Sequence, residues 1–305
     1  MSGLPLAAAP RPLGRSGLSV HPIAYGCWRF AGTPLRAARA KLDAALAAGI
    51  TLFDHADIYG GDGAAEALFG DALAEAPALR ARMVVATKCG IVPGVPYDSS
   101  PAHVRGACES SLRRLRIEVI DLYQIHRPDW LADVRALADA LAALREAGKI
   151  RAVGVSNFTA AQFDALQRFL PFPIATHQPE LSPWCLAPFR DGVLDQCQRE
   201  QVAPLAWSPL AGGGLGLTAD AARRQPHGDR LAALIALLDR LAEREGVPRL
   251  AVVLAFLLVH PAGIVPIIGT QRPERIADCG RAFDVRLSRQ DWYEIVQTSQ
   301  GGPLP

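Results

Sequence analysis

Residues 35–60 read L-R-A-A-R-A-K-L-D-A-A-L-A-A-G-I-T-L-F-D-H-A-D-I-Y-G. The first part, 35–48, carries apolar residues at helical spacing and stops at Gly49, a residue that accepts the left-handed turn ending a helix. The next stretch, T-L-F-D-H-A at 51–56, is a short β-rich run that finishes on polar residues. This unit of helix, glycine, short strand and polar end recurs along the chain. Strands are expected over 23–28, 51–56, 83–89, 119–126, 150–155, 174–178, 204–207 and 264–268. Helices are expected over 35–48, 64–73, 103–115, 131–147, 160–169, 188–200, 231–245 and 273–283. Thr33-Pro34 and Ser100-Pro101 place proline at a first helical position, and Ala147-Gly148 supplies another glycine stop.

Strands that alternate with helices want a parallel sheet covered by helices, and eight such units in about 280 residues fit a closed α/β architecture, the (β/α)8 TIM barrel. No linker divides the chain, so one domain over 1–305 is expected, with the glycine-rich stretch 210–217 as a long loop after the seventh strand. Two elements are surplus to the barrel. Residues 12–20, P-L-G-R-S-G-L-S-V, have hairpin-like glycines, and 288–298 reads as an extra C-terminal amphipathic helix.

Composition narrows the function. The chain has 305 residues, 50% hydrophobic, with 32 basic against 30 acidic side chains and a formal net charge of +2. Nothing in that balance supports a nucleic-acid surface. The N-terminus lacks the basic start and apolar run of a secretory signal, and the most apolar stretch, 250–259, falls short of the roughly 20 residues that span a bilayer. Six cysteines at 27, 89, 108, 185, 197 and 279 form neither a C-x-x-C pair nor a zinc spacing. Reduced core thiols and a cytoplasmic compartment are the expectation, with no membrane partner. Within the basic set only Lys41, Lys88 and Lys149 are lysines, and Asn157 is the sole asparagine. Lys41 and Lys149 are expected on or beside surface helices.

Barrel enzymes carry their chemistry where strands end. The second strand delivers Asp54, His55, Asp57 and Tyr59, the third Lys88 and the fourth His126. A lysine in an apolar β run is costly unless a carboxylate compensates it, and Asp54 on the neighbouring strand is the obvious partner. Such a pair aimed at a phenol would favour the phenolate and make Tyr59 a good proton donor near neutral pH. His126 would then orient a substrate oxygen. Singly, each residue has a plainer reading: Asp54 capping backbone amides, His126 as a core histidine, Tyr59 as a loop aromatic. Alternation puts His55 on the opposite strand face from Asp54. A metal-dependent barrel hydrolase using Asp54, His55 and His126 is the rival from these residues, but no H-x-H accompanies them and no metal is expected.

The strings D-H-A-D-I-Y-G-G, T-K-C-G, I-H-R-P-D and G-V-S-N-F, in this order, resemble the aldo-keto reductase superfamily and its bacterial branch of NADPH-dependent oxidoreductases. The match runs from about Leu13 to Val296. The resemblance implies a carbonyl reductase acting on small aldehydes or ketones, with Asp54, Tyr59, Lys88 and His126 as its tetrad. Tyr59 would be the general acid. A redox-sensing regulatory subunit that binds NADPH with little turnover is the alternative, since some relatives serve partner proteins in that way.

The G-x-G-x-x-G fingerprint of the common dinucleotide fold is absent, so barrel loops must hold the cofactor. By resemblance Ser156, Asn157 and Gln178 contact the nicotinamide carboxamide, and Trp207 stacks on its ring where tyrosine is common. Ser208, Pro209 and Leu210 resemble the pyrophosphate segment, with Gly26 and Trp28 as further contacts. Gly269, Thr270, Gln271, Arg275, Asp278 and Cys279 match the adenosine site. Arg272 and Arg275 beside a helix start suit a 2′-phosphate, which favours NADPH over NADH. Cys279 stands where many relatives have asparagine, as does His177. Trp28, Trp130 and Trp184 are candidates for the wall of an apolar substrate pocket.

Overall fold

Leu52, Ala86, Leu122, Ala152, Leu205 and Ile267 alternate along their strands with Phe53, Val85, Tyr123, Val153, Ala206 and Ile268. The computed structural model, which describes residues 3–304, sends the first set to one core and the second to another. Met1, Ser2 and Pro305, at the ends of the expected domain, lie outside the described residues.

Ten strands are present among the described residues. β1 (Arg11–Pro12) and β2 (Ser19–Val20) form the expected antiparallel hairpin. The other eight close a parallel barrel: β3 (Ala24–Gly26), β4 (Leu52–Asp54), β5 (Val84–Cys89), β6 (Ile120–Ile125), β7 (Ile150–Ser156), β8 (Thr176–Gln178), β9 (Ala203–Ala206) and β10 (Val265–Ile268), with β10 pairing both β9 and β3. Between them run α1 (Leu35–Ala47), α2 (Ala64–Glu75), α3 (Pro101–Leu115), α4 (Val134–Glu146), α5 (Ala160–Gln167), α6 (Val193–Glu200), α7 (Ala219–Arg223), α8 (Gly228–Glu245) and α9 (Arg249–Leu258). α10 (Pro273–Asp278) and α11 (Arg289–Gln300) come after the last strand. The fold is the (β/α)8 barrel with a hairpin and an extra helix.

Period-two alternation explains the two cores. Outward side chains pack under the helices. Inward ones fill the barrel in layers, starting with Leu13 and Val20 of the hairpin, which join the interior cluster and stop its N-terminal end. Higher up the inward positions turn polar: Asp54, Lys88, Gln124, Ser156, Thr176 and Gln178 are all buried. Two glycines make room there. A Cβ on Gly154 would stand 2.0 Å from Thr176 Oγ1, and one on Gly26 would stand 2.9 Å from Ile267.

The helices depart from expectation where capping or burial decides. α4 begins at Val134 because Asp133 accepts from the amides of Arg135 and Ala136, so Trp130 and Leu131 fall outside it and are exposed. Pro188 lies in a separate 3-10 turn, and α6 starts only after the left-handed Gly192. Beyond Asp278 the expected last helix tightens into a 3-10 segment, Cys279–Asp284. The glycine-rich stretch also winds into 3-10 turns, Ala211–Gly216, broken by left-handed Gly212 and Gly213. The expectation missed α9. Eight of its ten residues are buried, so its apolar residues continue all round and show no amphipathic period. Among the described residues no helix is long and apolar enough to cross a membrane.

Candidate active site

Asp54 closes β4, Lys88 is the penultimate residue of β5, and Tyr59 and His126 lie just past the ends of β4 and β6. The structure brings these four together. Lys88 Nζ donates to Asp54 Oδ2 at 2.8 Å, to the His55 carbonyl at 2.7 Å and to the Tyr59 phenol oxygen at 3.2 Å. That uses all three ammonium hydrogens. Burial works against the charge on Lys88, but Asp54 and Tyr59 outweigh it and raise its pKa. The ammonium therefore persists although it is buried.

Tyr59 corrects one expectation. Burial raises its pKa, and the neighbouring Lys88 only partly offsets that. The phenol holds its proton rather than releasing it near neutral pH. His126 sits edge-on to Tyr59 with ring centroids 5.9 Å apart, and its Nδ1 is buried without a partner. Burial, then the Lys88 and Arg127 charges, push its pKa down to about 2, so the imidazole is neutral. A neutral ring is a hydrogen-bond donor that adds no charge.

Behind the tetrad lies a network that sequence reasoning missed. Asp54 Oδ1 accepts from Gln178 Nε2 at 3.0 Å and from Gln124 Nε2 at 3.4 Å, and Gln124 Oε1 accepts from the Thr176 hydroxyl at 3.1 Å. A signal for it exists in the sequence. Gln124 and Thr176 lie two residues before His126 and Gln178, hence on the same inward face.

His55 points outward, its ring 4.4 Å from that of Phe69, so Asp54, His55 and His126 do not converge. Among the described residues no three His, Cys, Asp or Glu side chains stand as a metal site. Asp57 donates its amide to the Lys88 carbonyl at 3.0 Å, and one of its carboxyl oxygens is buried and unpartnered. Burial, then Glu66, raise its pKa to about 7, against Arg114 and Lys88. A carboxyl whose folded pKa is raised from 3.8 gives its full stability below that value and loses it as pH rises through 7. Asp57→Asn should therefore gain roughly 1–3 kcal/mol at alkaline pH, the cost of an unsatisfied buried group, and nothing in acid. Thermal unfolding in acetate and in alkaline buffer reads this directly; equal shifts in both would sink it.

The expected nicotinamide contacts also meet. Ser156 Oγ donates to the Gln178 carbonyl at 2.8 Å and accepts from Asn157 Nδ2 at 2.7 Å. Asn157 Nδ2 also reaches the His126 carbonyl at 3.3 Å, and Trp207 Nε1 donates to Asn157 Oδ1 at 2.9 Å. Asn157 takes a left-handed φ of 59°, which asparagine tolerates better than most residues. Ser208 Oγ accepts from the Gly212 amide at 2.6 Å, Pro209 is buried and Leu210 packs on the main core. These residues form a ledge continuous with the tetrad through Gln178.

The residues expected to meet the adenosine divide. Gly269, Arg275 and Asp278 are exposed, Thr270 and Gln271 half-buried, and Tyr25 donates to the Thr270 carbonyl at 3.1 Å. Cys279 is fully buried with its thiol on the Arg275 carbonyl at 3.1 Å, so its side chain offers adenine no surface. Arg272 is held by Glu274 at 2.5 Å. His177 is buried and stacks on Phe163 outside the barrel. Of the three tryptophans, Trp28 is 63% and Trp130 88% exposed, and Arg230 covers Trp184 at 4.4 Å.

Known proteins carry the same arrangement of chain. A profile described as the aldo/keto reductase family matches residues 22–300. The 6-dehydroglucose reductase of Novosphingobium aromaticivorans is 48% identical over 313 aligned positions, covering 100% of both chains. The 6-dehydroglucose reductase of Agrobacterium fabrum is 40% identical over 93% of this chain and 96% of its own. Among solved structures, the glycerol dehydrogenase AKR11B4 from Gluconobacter oxydans superposes with a TM-score of 0.82 at 28% identity, covering 100% of this chain and 98% of its own. The thermostable aldo-keto reductase Tm1743, in complex with the inhibitor epalrestat, gives 0.80 at 26% identity over 95% and 99%. With its barrel, its buried Lys–Asp pair and these relatives, the chain belongs to the aldo/keto reductase family and is an oxidoreductase of carbonyl substrates.

Proposed function

We propose that this chain is an NADPH-dependent carbonyl reductase in which Tyr59 protonates the substrate oxygen. One observation carries the reading: a fully buried ammonium, Lys88, bridges the Asp54 carboxylate and the Tyr59 phenol within 3.2 Å. Bound NADPH supplies the hydride. Neutral His126 donates a hydrogen bond to the carbonyl oxygen and holds it beside the phenol. As that oxygen gains negative charge, Tyr59 passes its proton to it. The tyrosinate left behind is stabilised by Lys88, whose own charge is kept by Asp54. Burial keeps the proton on Tyr59 until the carbonyl oxygen becomes basic enough to take it. Ser156, Asn157 and Gln178 suit a carboxamide, because the side-chain oxygens of Asn157 and Gln178 keep acceptor capacity at one strand end and exchange of the Asn157–Ser156 bond would free a donor, and Trp207 offers the ring a flat face. The two 6-dehydroglucose reductases among the relatives support a sugar aldehyde as the substrate.

The test is NADPH absorbance with a panel of carbonyls that includes 6-dehydroglucose, glyceraldehyde and an aromatic aldehyde, together with quenching of the chain's tryptophan fluorescence by the cofactor, compared between wild type and Trp207→Phe. Turnover with at least one aldehyde is expected. Tight NADPH binding without turnover across the panel would favour the regulatory-subunit reading instead.

A further inference from the structure

Lys41 does not lie where its sequence context suggests. It is on α1 but only 3% exposed, and its ammonium is folded in against the barrel. It donates to Gln271 Oε1 at 2.6 Å and to Thr33 Oγ1 at 3.3 Å, with the Phe30 ring centroid 5.3 Å away. Both hydrogen-bond partners are neutral. The chain's other two lysines each have a carboxylate, Lys88 with Asp54 and Lys149 with Glu109, and the half-buried Arg80 and Arg114 pair with Asp121 and Glu66. Among the described residues Lys41 makes no ion pair. Burial lowers its pKa, against a smaller opposing effect from Cys27.

A sheltered cation without a counter-ion is costly, and the cost is removed when an anion comes to it. The position indicates which anion. Gln271 belongs to the loop Gly269–Arg272 that leaves β10, and its Nε2 returns to the Gly269 carbonyl at 3.2 Å. Lys41 and Tyr25 thus anchor this loop from below, one through the Gln271 side chain and the other through the Thr270 carbonyl. Of the two arginines in and after the loop, Arg272 pairs with Glu274, while exposed Arg275 makes no ion pair among the described residues.

We infer that Lys41 is a specificity-determining residue for the cofactor: its ammonium, set beneath the loop, favours a phosphate monoester at the adenosine 2′ position. This inference rests on the reading of the site as a nicotinamide-cofactor site. The phosphate is gripped from outside by Arg275 and attracted from inside by Lys41, whose field acts through the Gln271 amide. Selectivity then resides partly in a helix remote from the loop in sequence.

Calorimetric titration of the purified chain with adenosine 2′,5′-bisphosphate and with ADP tests this without turnover. Lys41→Met should weaken the bisphosphate by about tenfold or more while changing ADP less than about twofold, the size expected of one poorly screened charge. In the absence of ligand the same variant should melt at the same temperature as wild type or higher, because it sheds an uncompensated charge. Lys41→Gln, neutral but polar, should reproduce the affinity loss and guards against a packing defect in Lys41→Met. Equal weakening of both nucleotides, or no change in either, would show Lys41 to be a strut for the loop and overturn the inference. A wild-type chain that binds neither nucleotide would overturn the cofactor reading along with it.

Discussion

Tyr59→Phe is expected to lower kcat by about 10³-fold while leaving the fold and cofactor affinity unchanged, in the range typical of removing a positioned general acid. The substitution removes one oxygen. Lys88 keeps its bonds to Asp54 Oδ2 and the His55 carbonyl, so its charge stays compensated. The aromatic ring still packs on the main core and still faces His126 edge-on. Only the proton for the substrate oxygen is lost. Single-turnover measurement of hydride transfer, with cofactor binding followed separately, separates the two quantities. Equal slow turnover in wild type and variant would remove Tyr59 from the chemistry.

Lys88→Met is expected to cost both activity and stability. The site loses the cation that receives the tyrosinate charge, and Asp54 is left as a buried carboxylate supported only by the amides of Gln178 and Gln124. Breaking a buried ion pair from one side typically costs about 3–5 kcal/mol. The double variant Lys88→Met with Asp54→Asn should recover most of that stability, because no unpaired charge remains, and should recover no activity. Denaturant titration of the single and double variants checks the first statement, and NADPH consumption the second. A single variant as stable as wild type would mean that the pair contributes nothing to folding.

The barrel and the convergence of Asp54, Lys88 and His126 could be read from sequence because they follow a period of two, whereas Tyr59 is brought in by the turn after β4. Asp54, Lys88 and His126 occupy inward positions on adjacent strands, and parallel register brings inward strand ends to one place. The features that escaped sequence reasoning have no such period. α9 is apolar on every side because it is covered on every side, so its helix left no stripe. Lys41 sits at a helix position whose exposure depends on what packs against it, here α10 and its preceding loop, more than two hundred residues away in sequence. Cys279 turns inward because the last helix tightens at that residue. The direction of the Tyr59 shift depended on burial weighed against one ammonium, and burial is a property of the assembled site.

The hairpin that carries Leu13 and Val20 has a consequence for traffic. With that end stopped and apolar layers stacked above it, the described residues close the barrel at its N-terminal face. On the proposed function, a substrate bound for Tyr59 and His126 arrives between the strand-end loops and departs the same way. Changes in those loops therefore alter admission and exit together, so a variant selected for a bulkier guest also releases its product at a different rate. Changes in the hairpin alter neither, and their effects are confined to how firmly the floor holds.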